Sequence, residues 1–425
     1  MAAASAPLWS HELCLRAFAQ NASTYKAIVV VTLEGGNDAN NMIVPIDNTT
    51  YAEYASLRSA VAIPQGQCLP LSGTNFGFHP SMSNLASLYN AGNALVVANV
   101  GPLVQPVTQA QILANSDLLP QELLAHPAGV AQWESASAVA TPSTGWGGRM
   151  ADIMASQSGS LPPLFALGTA SIFTVGQFVQ GIVMQQGSTT QLTPLPAGIN
   201  AAILAIAQND SQAANQLVAQ AAQLRVQALN EQTLLAQAQN SGTALTTVFP
   251  TTSFGQNMQG IANAINGRSV IGASRQIFYC QIEGFDTHGS QLGMQSSLLS
   301  QLDGGIGAFI SALLEMGLQN NVMICTHSDF NRTYISNVNA GTDHAWGTHQ
   351  LVIGGGLKGG RILGTVPVPE LGGSADLNGY GTWIPTLSVT QMVAGIGSWM
   401  GLSASQLATV FPDLPNFSQG ALSFS

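Results

Sequence analysis

The stretch YKAIVVVTLEGGNDANN, Tyr25 to Asn41, decides how the rest of the chain is read. From Ala27 to Leu33 it is apolar almost without a break, and it stops at Glu34 and a pair of glycines. A strand with one wet face alternates polar and apolar residues, so an unbroken run fits a strand covered on both faces, as in a parallel sheet. The design recurs in NALVVANVG (Asn93 to Gly101), after the helix-like SMSNLASLYNAG with Gly92 as its stop signal. It recurs again in RQIFYCQIEGFDTH and NNVMICTHSDFNRT, separated by the helical QLDGGIGAFISALLEMGL, and HQLVIGGG makes a fifth strand. Strands alternating with helices predict an α/β fold, a three-layer α/β/α sandwich around a mostly parallel central sheet.

The 425 residues read as a single domain, 1–425, without internal repeats. Residues 200–240 are rich in Ala, Gln and Leu and lack Pro and Gly, which predicts a helical insertion or cap of one long or two shorter helices. Hydrophobic residues at 46% suffice for a sizeable core, whereas charge, at 7%, is scarce beside the roughly 25% usual in soluble domains. With only 10 Lys and Arg and a formal net charge of −10, the chain lacks the basic patch that nucleic acid or an anionic membrane surface requires. No apolar run reaches the roughly 18 residues of a spanning helix, so no transmembrane segment is expected. The start, MAAASAPLWSHELCLRAFAQ, has no basic region followed by an apolar core, and its alanines resemble the end of a cleavage site. Residues 1–25 are therefore read as the N-terminal extension of a mature exported chain. Of the four cysteines, Cys280 and Cys325 sit in apolar runs as small buried hydrophobes, and Cys14 with Cys68 is the candidate disulfide of an exported protein.

The scarce charge is concentrated. The first strand ends at Glu34 and Asp38, the RQIFYCQI and NNVMIC strands at Asp286/His288 and His327/Asp329, and GTDHAWGTH, with Asp343, His344 and His349, precedes the last. Six of the seven histidines (His79, His126, His288, His327, His344, His349) lie in or beside such turns. In open α/β sheets ligands bind beyond the carboxyl ends of the strands. Any one of these motifs is as well explained as a helix cap or a turn; four in so uncharged a chain predict a site. Mixed Asp and His suit a divalent metal, Zn²⁺ first, with Mn²⁺, Fe or Ca²⁺ as the other candidates. Two ions would need about six to eight ligands and would clamp a phosphoryl or sulfuryl oxygen. EGGND and GGGLKGG lack the spacing of a phosphate loop and read as tight turns. Trp133, Trp146, Trp346 and Trp383 read as core or pocket wall, with Trp146 and Trp346 adjoining the polar motifs.

Together these segments resemble the bacterial domain-of-unknown-function family fifteen-oh-one, which belongs with the alkaline phosphatase and sulfatase superfamily. The resemblance covers nearly the whole chain: VVVTLEGGNDANNMIVP, GFHPSMSNLASLYNAG, HPAGVAQWE followed by TGWGGRMAD, GFDTHGSQ, THSDFNRT, GTDHAWG, GGGLKGGRILG and ATVFPDLPNF. It implies an alkaline-phosphatase-like fold and a periplasmic or extracellular home, since members usually carry a twin-arginine export signal, absent from this chain. It also implies roles. Asp38 is similar to the carboxylate that holds one metal, Asp286 and His288 to ligands of the partner metal, Asp329 to the next metal-binding Asp, and His344 (or His349) to the late histidine ligand. Glu34, His327 and Asp343 would orient ligands, and Arg332, the only basic residue in the Asp/His motifs at the strand ends, would meet an anionic substrate oxygen, with Lys358 as a lesser candidate.

Two positions depart from the superfamily pattern. Phe330 stands where phosphatases and sulfatases have a His. Ala125 and Pro127 flank His126 where the family often has Ser-His-Phe, which leaves His126 as ligand or base and Ser116, Ser135 and Thr144 as reserve hydroxyls. The expected function is a secreted metal-dependent hydrolase of phosphate or sulfate esters, its partner an anionic ester. The alternative is a catalytically inactive secreted protein that keeps the fold for binding an extracellular ligand or for assembly.

Overall fold

A computed structural model describes residues 25–157, 159–184 and 197–425. In chain order the elements that matter here are β1 (Lys26–Leu33), α1 (Asn48–Arg58), β2 (Ala94–Gly101), α2 (His126–Ser135), α3 (Trp146–Met154), β3 (Leu164–Leu167), β4 (Ile182–Met184), α4 (Ala197–Asp210), α5 (Gln216–Ser241) and α6 (Ser253–Asn266). They continue with β5 (Arg275–Ile282), α7 (Gln291–Glu315), β6 (Val322–Ser328), β7 (Thr348–Gly354), β8 (Ile362–Leu363), β9 (Leu387–Ser388) and α8 (Val389–Met400).

One sheet organises the chain, in the order β8-β2-β7-β6-β1-β5-β3-β4, with β9 also on β2. The opening stretch lies at its centre. β1 pairs in parallel with β5 on one side and β6 on the other, and all three end level, Leu33 opposite Ile282 and Ser328. The unbroken apolar run is explained by cover on both faces. Ile28 and Val30 pack with Trp133, Trp146, Met150, Met392 and Ile396 on the α2, α3 and α8 side. Val29, Val31 and Leu33 pack with Met258, Ile261, Leu299, Ile306 and Phe309 from α6 and α7 on the other. The fold is the three-layer, mostly parallel α/β sandwich that the sequence predicts.

The fifth strand departs from the others: β7 runs antiparallel to both β2 and β6. No helix crosses over between Ser328 and Thr348. The chain forms a short hairpin there, Asn331–Arg332 against His344–Ala345, and turns straight back. The glycine-rich GGGLKGG loop after β7 is thereby carried to the opposite edge of the sheet, beside the start of β6 (Gly354 opposite Met323), so Lys358 is remote from the carboxyl ends of β1, β5 and β6.

Residues 200–240 fall in two helices, α4 and α5. Among the described residues, α7 alone is long and apolar enough to cross a membrane by length and composition. Here one stripe of it, Leu299, Leu302, Ile306, Phe309 and Leu313, is wholly buried in the core. Cys280 and Cys325 are buried as expected; the Cys68 thiol donates to the Pro64 carbonyl at 3.6 Å, and Cys14 lies outside the described residues.

Three histidines are buried and neutral. Burial pushes His327 down to about 3 and, despite opposing help from Asp38 for His79 and from the Thr348 carbonyl for His349, those two to about 4. Unfolded, each titrates near 6.5, so the unfolded chain binds more protons below that pH and stability falls as pH drops. Each histidine then contributes a loss of about 1.4 kcal/mol per pH unit from pH 6.5 down to its folded pKa. The buried acids Glu134 and Asp303, raised by burial, act in the opposite sense only near their own range. Urea unfolding at pH 7 and pH 5 should show the wild type losing about 2 kcal/mol more than a His327→Phe variant. Equal losses would show that His327 is not buried in the neutral form.

Candidate metal centre

The level ends of β5, β1 and β6 set the floor of the site. Gly35 and Gly36 follow Glu34 with φ of +107° and +81°, a backbone that side chains resist, and a Cβ on them would lie 2.5 Å from the Asp286 nitrogen or 2.6 Å from the Phe330 ring. EGGND is thus a turn pressed against its neighbours. The hairpin after β6 delivers Arg332 and His344, and α2 begins with His126, its N-cap Ala125 offering no side-chain bond.

Four of the residues singled out in the sequence meet here. The ligand atoms of His126, Asp286 and His344 all lie within 4.8 Å of one another, the one such group among the described residues. His288 joins them, its Nε2 3.0 Å from both Asp286 Oδ1 and His344 Nε2. Nε2 of His126 and of His344 lie 3.5 and 3.4 Å from the same oxygen. Each imidazole is held from behind through Nδ1: His126 by Asp329 Oδ2 at 2.7 Å, His288 by Asp343 Oδ1 at 2.8 Å, and His344 by the Leu124 carbonyl at 2.8 Å. An acceptor at Nδ1 keeps the proton there and turns the Nε2 lone pair outward, the arrangement that orients histidine ligands to metals.

Asp329 is buried; its other oxygen accepts from the Gly35 N–H at 3.1 Å. The hydrogen bond that His126 donates to Asp329, more than burial opposes it, raises the His126 pKa, with further help from the charges of Asp329 and Asp286. His344 is lowered, first by burial and then by the nearby Arg332, His126 and His288, against the Leu124 carbonyl. Burial raises the Asp286 carboxyl, but the hydrogen bond and charge of Arg332, with His288 and His126, outweigh it and hold it below the usual range. Asp286 is therefore ionised at neutral pH. Phe330 forms one wall, its ring centroid 4.8 Å from His126 and 4.4 Å from His344.

Other expected residues take other parts. Asp38 caps the short helix Ala39–Met42 and pairs with Arg58, both side chains wholly buried. Arg332 is also wholly buried, and instead of facing open space it donates to the carbonyls of Gly35, Gly36, Phe285 and Thr342 and to Asp286. His327 points into the sheet's α2/α3 face between Trp133 and Trp146, and His349 Nδ1 accepts the Asn99 N–H at 3.0 Å. Glu34 stands beyond β1 with its carboxyl raised by burial and by Asp329 and Glu283, against His126. Trp346 and Trp383 are buried, Trp346 Nε1 donating to the Pro102 carbonyl. Of the reserve hydroxyls, Ser116 is exposed in a short turn, Ser135 Oγ bonds Ser137 and Thr144 Oγ1 accepts from Arg149. Arg58 and the Leu124 carbonyl were not singled out; the one signal for Arg58 was an arginine in a chain with only 10 basic residues.

The family described as "Protein of unknown function (DUF1501)" matches residues 25–413. No curated protein matches. Similar solved structures include the lipoteichoic acid synthase LtaP from Listeria monocytogenes, 8% identical over 93% of this chain and 77% of that one, TM-score 0.35. The PsFucS1 sulfatase from Pseudoalteromonas sp. is 9% identical over 85% and 69%, TM-score 0.34. A protein in the alkaline phosphatase superfamily from Vibrio parahaemolyticus is 10% identical over 89% and 67%, TM-score 0.35.

Replacing Asp329 by Asn keeps an acceptor but removes the charge behind His126. In metal-free protein the His126 titration, followed by imidazole NMR, should move to lower pH in Asp329→Asn. An unmoved midpoint would overturn the pairing.

Proposed function

Because this chain belongs to the DUF1501 family, whose description assigns no activity, we propose its function from the site: a divalent-metal-dependent hydrolase of phosphate or sulfate esters, acting outside the cytoplasm. One observation carries the reading. With both Nδ1 atoms on acceptors, Nε2 of His288 and His344 lie 3.0 Å apart, and His288 Nε2 also lies 3.0 Å from Asp286 Oδ1 and 3.4 Å from Arg332 Nη1. In the neutral Nδ1–H form such a pair of nitrogens repels unless a cation lies between, and three imidazoles with one carboxylate are the donor set of Zn²⁺, with Mn²⁺ and Fe behind it; Ca²⁺, which takes oxygen ligands, fits least.

The ligands would be His126, Asp286, His288 and His344. A divalent ion held by them would act as a Lewis acid on an ester oxygen and on water. The protein's part is orientation. Arg332 fixes the Asp286 carboxylate, while Asp329, Asp343 and the Leu124 carbonyl fix the imidazoles. Asp286 and His288 side chains remain 46% exposed, enough for an ester to reach the cluster from solvent.

A second reading, a binding or assembly protein without catalysis, draws on Ala125. The start of α2 offers no hydroxyl to attack an ester, and the Arg332 donors are already occupied. Elemental mass spectrometry, with p-nitrophenyl phosphate and p-nitrophenyl sulfate as probes, separates the readings. The hydrolase requires stoichiometric metal and ester cleavage, both lost in Asp286→Ala with His344→Ala. Metal without cleavage favours the binding reading. No metal, even after incubation with Zn²⁺, overturns the metal centre.

A further inference from the structure

Gln291 opens α7, just beyond the GFDTH turn, and is wholly buried. Its amide is used at both ends. Nε2 donates to Asp38 Oδ2, while Oε1 accepts two hydroxyls, Thr342 Oγ1 at 2.5 Å and Thr287 Oγ1 at 3.2 Å. Thr287 lies between Asp286 and His288; Thr342 immediately precedes Asp343 and His344. The two loops are also stitched directly, Thr342 N–H to the Thr287 carbonyl at 3.1 Å.

Asp38 anchors this arrangement. Its carboxylate takes the Arg58 guanidinium, which also reaches the Thr333 and Tyr334 carbonyls at 3.0 and 2.9 Å, the two residues that follow Arg332. One turn along α7, Gln295 Nε2 donates to the Asp38 carbonyl at 2.7 Å and to Asn37 Oδ1 at 3.2 Å. From these contacts we infer that Gln291, locked by Asp38, is a positioning residue of the metal centre, setting the separation of the loop that carries Asp286 and His288 from the loop that carries Asp343 and His344. This rests on the metal reading above, and it gives Asp38 a role other than ligand.

The chemistry is specific to a neutral amide. Glutamine gives a donor to the carboxylate and an acceptor to two hydroxyls at once; a carboxylate there would repel Asp38, and an apolar side chain would leave both threonines unpaired. Metal ligands must be held to within about 0.5 Å of their working geometry, and loss of such outer contacts typically weakens metal binding about 10- to 100-fold.

The test is zinc affinity, measured by calorimetry on metal-stripped protein, with thermal melting of the same samples. Thr287→Val with Thr342→Val keeps shape and removes both hydroxyls, while Thr287→Ser with Thr342→Ser restores them. Zinc affinity should fall about 10-fold or more in the valine pair and return to within about threefold of wild type in the serine pair. Wild-type affinity in a folded valine pair would overturn the inference even if its melting temperature fell, since a merely structural network would do only the latter. Failure of serine to rescue would also overturn it. If the valine pair does not fold, the single Thr342→Val variant is read by the same criteria. A wild type that binds no zinc sinks the metal reading itself, a result distinct from the others.

Discussion

The structure depends on the register of three parallel strands. Leu33 is opposite both Ile282 and Ser328, so β5, β1 and β6 stop at one level and their next residues emerge together. Short turns then suffice to bring Asp286, His288, Asp329 and Arg332 into one space. The remaining histidines need different routes. His126 begins α2, which is reached from β2 through the short helix Gln109–Ala114, and His344 belongs to the hairpin that precedes β7. Because β7 runs antiparallel, its beginning rather than its end lies at that edge. A right-handed crossover to a parallel fifth strand would have left the GTDH segment at the far side of the sheet. The reversal is therefore a condition of the site.

The chain has 10 basic residues, and two arginines, Arg58 and Arg332, are wholly buried beneath this edge. Burying a charge costs several kcal/mol per ion, and a buried pair is often no more stable than apolar residues of the same volume. Stability alone is a poor account of them. Their partners suggest a better one. Arg332 gathers carbonyls from the turns after β1 and β5 and from the hairpin, and Arg58 ties the Asp38 turn to the residues after Arg332. Guanidinium forks suit this purpose because their donors are fixed in one plane and cannot adapt to a shifted loop.

How much of this was legible follows from the range of each interaction. Strands of seven or more residues announce themselves by apolar runs; β3, β4, β8 and β9, at two to four residues, carry too little pattern. The antiparallel β7 left a trace, since no helix-forming stretch separates SDFNRT from WGTHQLV. Asp286 and His288 were legible because they sit just beyond a strand end, and His344 because it sits just before β7 begins. His327 was misleading: it is still inside β6, opposite Thr32, and shares the parity of Cys325, so strand alternation turns it to the Trp133 and Trp146 face. Asp38 was visible as a carboxylate, but its partners Arg58 and Gln291 lie 20 and 253 residues away. No local pattern encodes a pairing of that kind.

The same contacts bear on whether one ion or two would fit. On the metal reading, a second ion would draw on Asp38 and Asp329, the remaining carboxylates among the expected ligands. Asp38 is already paired with a guanidinium, whose charge opposes a second cation beside it. Asp329 uses one oxygen on the Gly35 N–H and the other on His126. On that reading what remains is a one-ion set whose formal charges balance: a divalent ion and Arg332 (+3) against Asp286, Asp329 and Asp343 (−3). Such a site has little long-range attraction for an anionic ester, consistent with a net charge of −10 over the chain. On the hydrolase reading, selection of the ester would then rest on direct contact at the ion and on the shape of the opening, where Phe330 closes one side against His126 and His344.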